Sequence, residues 1–581
     1  MKQFFKFFFA SLAALFIFML LIFVVFGGII AGSASKDQTI VDNNSVLCID
    51  LNENITEQTK ENQLGILSGQ PTSIVGLNDV LASIKAAKSD EKIKGIYIKL
   101  GMSPIGWATL QEIKDAIEDF KPSKKFVYAY GEIADQKSVY MSTISDSSFV
   151  NPSGGIEFKG LAISGMFYKG TLEKLDVKTE AFHCGQFKGA HEPYSRENFS
   201  DANRFQLTAL LNDFYAELLM AISKKSGLDT ATLAKMANEG TIKFPKDAVA
   251  YKVINGTRFS DEVELSIKNK LAIKETDKIS FISPDDYAET IVDKTATDKI
   301  AILYAEGAIY DGEGDEEIYS KTFTKSIRKI KNDDKIKAVV LRINSPGGSA
   351  LASEVMYHEL EQLNKVKPII VSMGNYAASG GYYLSCAGDS IFADQNTLTG
   401  SIGVVGVMFN MGEFYKNKLG ITTDVVKTAE HADFPNLTRP MSEFEHNWIQ
   451  GFLDTTYMLF KSRVAKARNL TMQEVEELAQ GHVYSGKAAL NLKLIDGLGN
   501  VDRALKSASA MAKVTDYKIV EYPKPIDKVQ EIVNQLSGNK REEAIMKKVL
   551  GEEYVVFKEI QKVKSQQNQV QMALPWLFDI R

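Results

Sequence analysis

The chain has 581 residues, 45% of them hydrophobic and 24% charged, with a net charge of −5. At roughly 150 residues per domain this length predicts about three or four domains with sizeable cores, and it excludes a cross-linked mini-protein. The mildly acidic balance excludes a general nucleic-acid binder, and the ordinary composition excludes long disordered arms.

Lys2 and Lys6 precede a run with no charge from Phe7 to Ser35. A bilayer core needs about 20 apolar residues and a signal-peptide core only about 7–15, so the run is long enough to span. Residues 1–6 read as a cytoplasmic start and 7–31 as a transmembrane anchor, with membrane lipid as its partner. Lysines ahead of the span put the N-terminus inside and the body outside. The small residues Ala31, Gly32, Ser33 and Ala34 leave a cleaved signal peptide as the alternative.

An internal repeat comes next. Asp90–Tyr97 (DEKIKGIY) matches Asp333–Val340 (DDKIKAVV) at an offset of 243. The same offset sets YAYGEIADQKSVYMS (128–142) on VSMGNYAASGGYYLS (371–385), and Asp146, Phe149 and Gly160 on Asp389, Phe392 and Gly403. A unit of that size is a whole domain, not a solenoid module. We expect two homologous domains, 46–275 and 297–515, linked by a polar stretch near Glu275–Asp298.

In the second unit Lys337–Ile343 reads as a buried strand and Asn344–Gly348 (NSPGG) as a turn. Ser349 is an N-cap for a helix through Asn364, with Leu351, Val355 and Leu360 on one face. Pro368–Met373 is the next strand, followed by a segment that opens another helix. Strands alternating with helices predict an α/β fold. Residues 516–581 read as a helical tail, periodic over Ala544–Val563 and ending in the apolar MALPWLFDI, either a surface or oligomer-contact helix or a solvated helix with no partner.

Cys48, Cys184 and Cys386 lack CxxC spacing and read as buried small hydrophobes. The histidines at 183, 191, 358, 431, 446 and 482 form no metal-binding pair, so no metal is expected.

The chemistry is sought where the repeats differ. Ser379 lies in AASGG (377–381), directly after a strand, near a helix N-terminus that favours negative charge. Its bland reading is a helix cap. Paired glycines in the preceding SPGG loop, however, can aim backbone N–H groups at an oxyanion. In the first repeat Gln136 stands in place of Ser379, and Met102–Gly106 (MSPIG) in place of SPGG, so the nucleophile is missing there. A serine nucleophile needs a base, and no histidine carries a motif. A buried lysine with a depressed pKa can serve instead.

The second repeat resembles the catalytic domain of the signal peptide peptidase A family, through SPGG, SGGY after a strand and Leu398–Gly403 (LTGSIG) in order. Cys184–Tyr194 (CGQFKGAHEPY) in the first repeat is similar to the lysine segment of the long, duplicated, protease IV type of that family. The resemblance implies a Ser–Lys dyad split between the repeats, with Ser379 as nucleophile, Lys188 as general base and Ser401 orienting the lysine. The implied oxyanion donors are the N–H groups of Gly347, Gly348 and Gly380. It also implies two tandem Clp protease/crotonase-like domains built as a spiral of β-β-α units, assembled as bowl-shaped homotetramers. No metal or cofactor is implied. The body would face the periplasm from a bacterial inner membrane. The apolar Val404, Val405, Val407 and Met408 suit hydrophobic peptides such as released signal peptides, or form plain core strand.

The sequence thus predicts a membrane-anchored serine endopeptidase acting on signal peptides and other apolar peptides. One alternative is an inactive membrane scaffold with vestigial motifs. Another is a crotonase-type acyl-CoA enzyme, disfavoured because coenzyme A is scarce outside the cytoplasm.

Overall fold

The computed structural model describes residues 2–34, 40–61, 73–291, 295–524, 546, 570–574 and 580. Helix α1 (Lys2–Ala34) is unbroken, about 50 Å long at the usual helical rise. Its Gln3–Leu20 window has a mean hydropathy of 1.9, so by length and composition α1 is able to cross a membrane.

The first repeat runs β1 (Ser45–Asp50), α2 (Leu77–Ala87), β2 (Ile93–Lys99), α3 (Trp107–Phe120), β3 (Phe126–Ala134), α4 (Gln136–Ser142), β4 (Ser147–Ile156), β5 (Lys178–Cys184), α5 (Asp201–Ser226), β6 (Gly256–Thr257) and β7 (Phe281–Ile282). Its strands pair in the order β6-β4-β3-β2-β1-β7, all parallel. Strands covered by helices on both faces are apolar almost throughout, as in Ile96–Ile98 and Val127–Ala129.

The second repeat runs β8 (Lys299–Glu306), α6 (Ser320–Asn332), β9 (Ile336–Ser345), β10 (Gly347–Ser349), α7 (Ala350–Asn364), β11 (Ile369–Ala378), α8 (Gly380–Ser385), β12 (Ser390–Ala393), β13 (Leu398–Gly400), β14 (Val404–Asn410), α9 (Glu443–Arg468), β15 (Val483–Ser485) and β16 (Lys518–Tyr522). Its sheet orders β15-β13-β11-β9-β8-β16, with β12 beside β11, and only β13–β15 antiparallel. The offset of 243 holds in space: α2 and α6, β2 and β9, α3 and α7, and β3 and β11 each begin that far apart. The fold is therefore the expected α/β duplication with parallel sheets.

Three details differ from expectation. The linker carries β7, which pairs with β1 because its apolar Ile282 finishes the first sheet's edge, so the first unit extends past 275. In α7, Ser349 caps the Ala352 N–H as expected. The buried stripe, however, is Ala352, Met356, Leu360 and Leu363, whereas Leu351 and Val355 are exposed. The four buried residues follow the three-and-four spacing that keeps a helix face in register, and Leu351 and Val355 fall off it. The tail also carries two strands, β16 and β17 (Gln571–Ala573), beside the helical Met546. The periodic segment at 544–563 lies outside the described residues, Met546 apart.

A third sheet joins the repeats. It orders Ile318–Tyr319, Ile309–Tyr310, β10, β17, β14 and β5. Strand β5 of the first repeat pairs antiparallel with β14 of the second over Val404↔Cys184 to Asn410↔Lys178. One core cluster also crosses the boundary, packing Ile98, Leu110 and Tyr140 with Ile302, Val340, Leu398 and Leu505.

Candidate active site

The β5–β14 pairing decides which residues meet. Lys188 lies four residues beyond the end of β5, and Ser401 three residues before β14. Antiparallel register therefore carries both to the same end of the sheet. Lys188 Nζ lies 2.8 Å from Ser379 Oγ, 2.9 Å from Ser401 Oγ and 3.0 Å from the Ser401 carbonyl oxygen. All three residues are 0–1% exposed. Burial holds the Lys188 pKa well below lysine's ordinary value. A neutral amine has two hydrogens and one lone pair. It can donate to the two Ser401 oxygens and accept from the Ser379 hydroxyl, which matches the three contacts.

Ser379 sits between β11 and α8 with φ 55° and ψ −113°, a conformation that costs a non-glycine residue energy. Its N–H donates to the Gly400 carbonyl and its carbonyl accepts from Tyr383 N–H, each at 2.8 Å, so the backbone is fixed from both sides. It does not cap α8 through its side chain. Ser401 also has positive φ, at 50°, and its N–H donates to the His482 carbonyl at 2.7 Å.

The glycine loop abuts this turn. Gly347 has φ +95°, and a Cβ there would lie 2.7 Å from Gly380 N. A Cβ on Gly380 would lie 3.2 Å from Gly347 Cα. Only glycines let these two backbones touch, which brings the Gly380 N–H against the glycine loop. The Gly347 N–H donates to Ser345 Oγ at 3.2 Å.

The first repeat shows the counterpart. Gln136 fills the place of Ser379, accepting from Lys159 N–H and Gly160 N–H at 3.1 and 2.9 Å and donating to the Gly160 carbonyl at 2.7 Å. That amide braces a loop through both its oxygen and its nitrogen.

Sequence reasoning missed the support around Lys188. The Phe187 N–H donates to the Gln480 carbonyl at 2.8 Å, and Gln206 donates to the Phe187 carbonyl at 2.8 Å. Gly481 has φ +75°, and a Cβ there would come within 2.6 Å of Lys188 Cβ. That glycine was the available signal, but nothing local says what approaches it. It also missed Arg342, fully buried in β9, which pairs with Glu57 at 2.8 Å and Glu112 at 2.6 Å, both from the first repeat.

A parallel duplicated α/β frame with a buried serine against a buried lysine defines a serine hydrolase built from two Clp-like units. The profile of peptidase family S49 matches residues 119–274 and 361–515, and that of Clp protease matches 292–397. The chain belongs to peptidase family S49 and is a serine peptidase. It is 31% identical to Protease 4 of Salmonella typhi, over 90% of this chain and 87% of that one. It is 32% identical to Protease 4 of Haemophilus influenzae, over 82% and 81%. It is 30% identical to the chloroplastic serine protease SPPA of Arabidopsis thaliana, over 85% and 74%.

Proposed function

We propose a membrane-anchored endopeptidase with a Ser379–Lys188 dyad, degrading released signal peptides and other apolar peptides at the membrane. The observation that carries this is the 2.8 Å contact between a buried lysine and a buried serine on a strained turn. Neutral Lys188 takes the Ser379 proton as Oγ attacks the peptide carbonyl carbon. The N–H groups of Gly348 and Gly380 receive the oxyanion, while the Gly347 N–H is held by Ser345 Oγ. The lysine, now charged and steadied by Ser401, gives its proton to the leaving amine as the C–N bond breaks. Water, deprotonated by the same lysine, then hydrolyses the acyl-enzyme and restores Ser379. Burial supports the first step, because an exposed lysine would be charged and unable to accept.

Helix α1 supports a tether, with the body on the periplasmic side of an inner membrane. Val407 and Met408 on β14 line an apolar pocket, which supports a preference for hydrophobic chains, whereas Val404 lies in the core. A homotetramer that encloses the sites would restrict entry to extended peptides. The test is peptidase assay of the whole protein in detergent on an apolar peptide. Ser379→Ala and Lys188→Ala should each lose activity by roughly a thousandfold or more. Activity that survives either substitution rejects the dyad, and with it leaves an inactive scaffold or another catalytic group as the account.

A further inference from the structure

A pocket of about 370 Å³ lies where the two repeats meet, and Ser379, Lys188 and Ser401 do not line it. Its first-repeat wall is the counterpart of the cleft at Ser379. Pro104 and Gly106 come from the loop that stands in place of SPGG, and Lys137 follows Gln136 in the register of Gly380. Its second-repeat wall is Asn344 of β9, Tyr376 of β11 and Leu398 of β13, with Asn396 just before β13. The strands that lead to Ser379 and Ser401 therefore back onto a cleft that lacks a nucleophile. A cavity of this volume suits a ligand of two or three residues, near the lower limit of ligand pockets at roughly 300 Å³.

Asn396 marks the pocket as a binding site. It is 2% exposed, and neither its Oδ1 nor its Nδ2 has a hydrogen-bond partner among the described residues. Seven buried side-chain polar atoms are unpartnered among those residues, and three belong to Asp394 and Asn396, so the shortfall gathers in this one loop. Unmet buried polar atoms destabilise a fold, and proteins tolerate that cost where function needs the group. The surrounding groups favour an acceptor. Asn344 Oδ1 accepts the Tyr376 N–H at 3.1 Å, which leaves the Asn344 amide hydrogens to donate. Lys137 brings a positive charge, its Nζ donating to the Ser103 carbonyl at 3.3 Å. Glu306, the one acid among the described lining residues, is taken by the Glu57 N–H at 3.1 Å and by Lys60 at 3.0 Å. Trp107, Phe214 and Leu398 add an apolar floor. The Trp107 indole N–H donates to the Ile580 carbonyl at 3.2 Å, so one wall already bonds to peptide main chain.

We propose that this pocket binds the C-terminal carboxylate of a short peptide whose last side chain is aliphatic. The carboxylate accepts from Asn396 Nδ2–H and from Lys137, and the peptide's last N–H donates to Asn396 Oδ1. Hydrolysis of a peptide bond releases a fragment that ends in a new carboxylate. On the peptidase reading above, on which this identification of the ligand rests, the ligand is therefore a reaction product. The first repeat then retains what the second repeat makes. Register keeps a place for negative charge in both repeats, a backbone N–H at Gly380 and an ammonium at Lys137.

Calorimetric titration of the whole Ser379→Ala protein in detergent tests this without turnover, using the tripeptide Ala-Ala-Leu as free acid and as carboxamide. The free acid should bind, and the carboxamide should bind about tenfold more weakly or worse. Asn396→Leu keeps the branched shape and removes both unmet atoms. It should weaken the free acid by about tenfold or more while the melting temperature holds or rises. Lys137→Met should erase the preference for acid over carboxamide. No binding, equal affinity for acid and carboxamide, or affinity unchanged in Asn396→Leu would each overturn the proposal. The last of these would put the peptide in the groove beside residue 379. Should Asn396→Leu fail to fold, Lys137→Met decides. Wild-type protein without peptidase activity would instead reject the reading of the ligand as product, whatever the titration gives.

Discussion

Lys188 carries a pH signature of its own, because burial holds its pKa well below the ordinary value. With Lys188 as the proposed base its proton must be absent for Ser379 to be activated, so kcat/KM should rise with pH through the lowered lysine pKa and level off below the ordinary lysine value of about 10.4. A stopped-rate pH profile checks this, and a rise reaching its plateau only above that value would count against the buried base. Stability runs the same way. The folded pKa lies below the unfolded one, so between the two the unfolded chain binds more protons, and stability rises with pH. Lys188→Met should abolish that slope and raise the melting temperature at neutral pH, because it removes a desolvated amine. Ser401→Ala removes one of the amine's acceptors and should lower kcat roughly tenfold, with KM little changed. At this scale Ser379 was legible from its motif and from its replacement by Gln136. Lys188 was picked out by family resemblance and by its small, apolar flanks (Phe187, Gly189, Ala190, Pro193 and Tyr194), but it stands 191 residues from Ser379 and local pattern could not pair the two.

At the scale of elements, the glycine turn and the buried ion cluster make separate predictions. Gly347→Ala puts a side chain at φ +95° and into the Met572 and Gly380 backbones. It should lower kcat by roughly a hundredfold, with unchanged far-ultraviolet circular dichroism. Arg342→Ala leaves Glu57 and Glu112 buried without their guanidinium and should destabilise by about 3–5 kcal/mol, measured by denaturant unfolding. Replacing all three together with apolar residues should cost much less. The repeat offset predicted where strands and helices begin, since local pattern governs those boundaries. It could not predict that β5 has no counterpart strand at the same offset in the second repeat, where 421–427 is irregular. Nor did periodicity separate the buried Met356 from the exposed Val355, since both are apolar and adjacent.

Across the whole molecule, the two repeats share one core cluster, one sheet and one ion cluster. The body should therefore unfold in a single calorimetric transition, not two, although duplicated domains with private cores would give two. Domain count from length alone was too high, because each α/β unit is large and a parallel sheet needs long crossovers. Long-range pairings such as β5 with β14 and β10 with β17 were beyond the sequence, because register between distant strands depends on everything folded between them.

The same β5–β14 pairing also sets how the enzyme responds to dilution. A catalytic pair divided between separate subunits exists only at concentrations above their dissociation constant. In the proposed dyad both members belong to one polypeptide, so the encounter would be intramolecular and its effective concentration fixed by the chain. The proposed proton acceptor and nucleophile would then always be present in equal number, and specific activity should not fall as the protein becomes scarce.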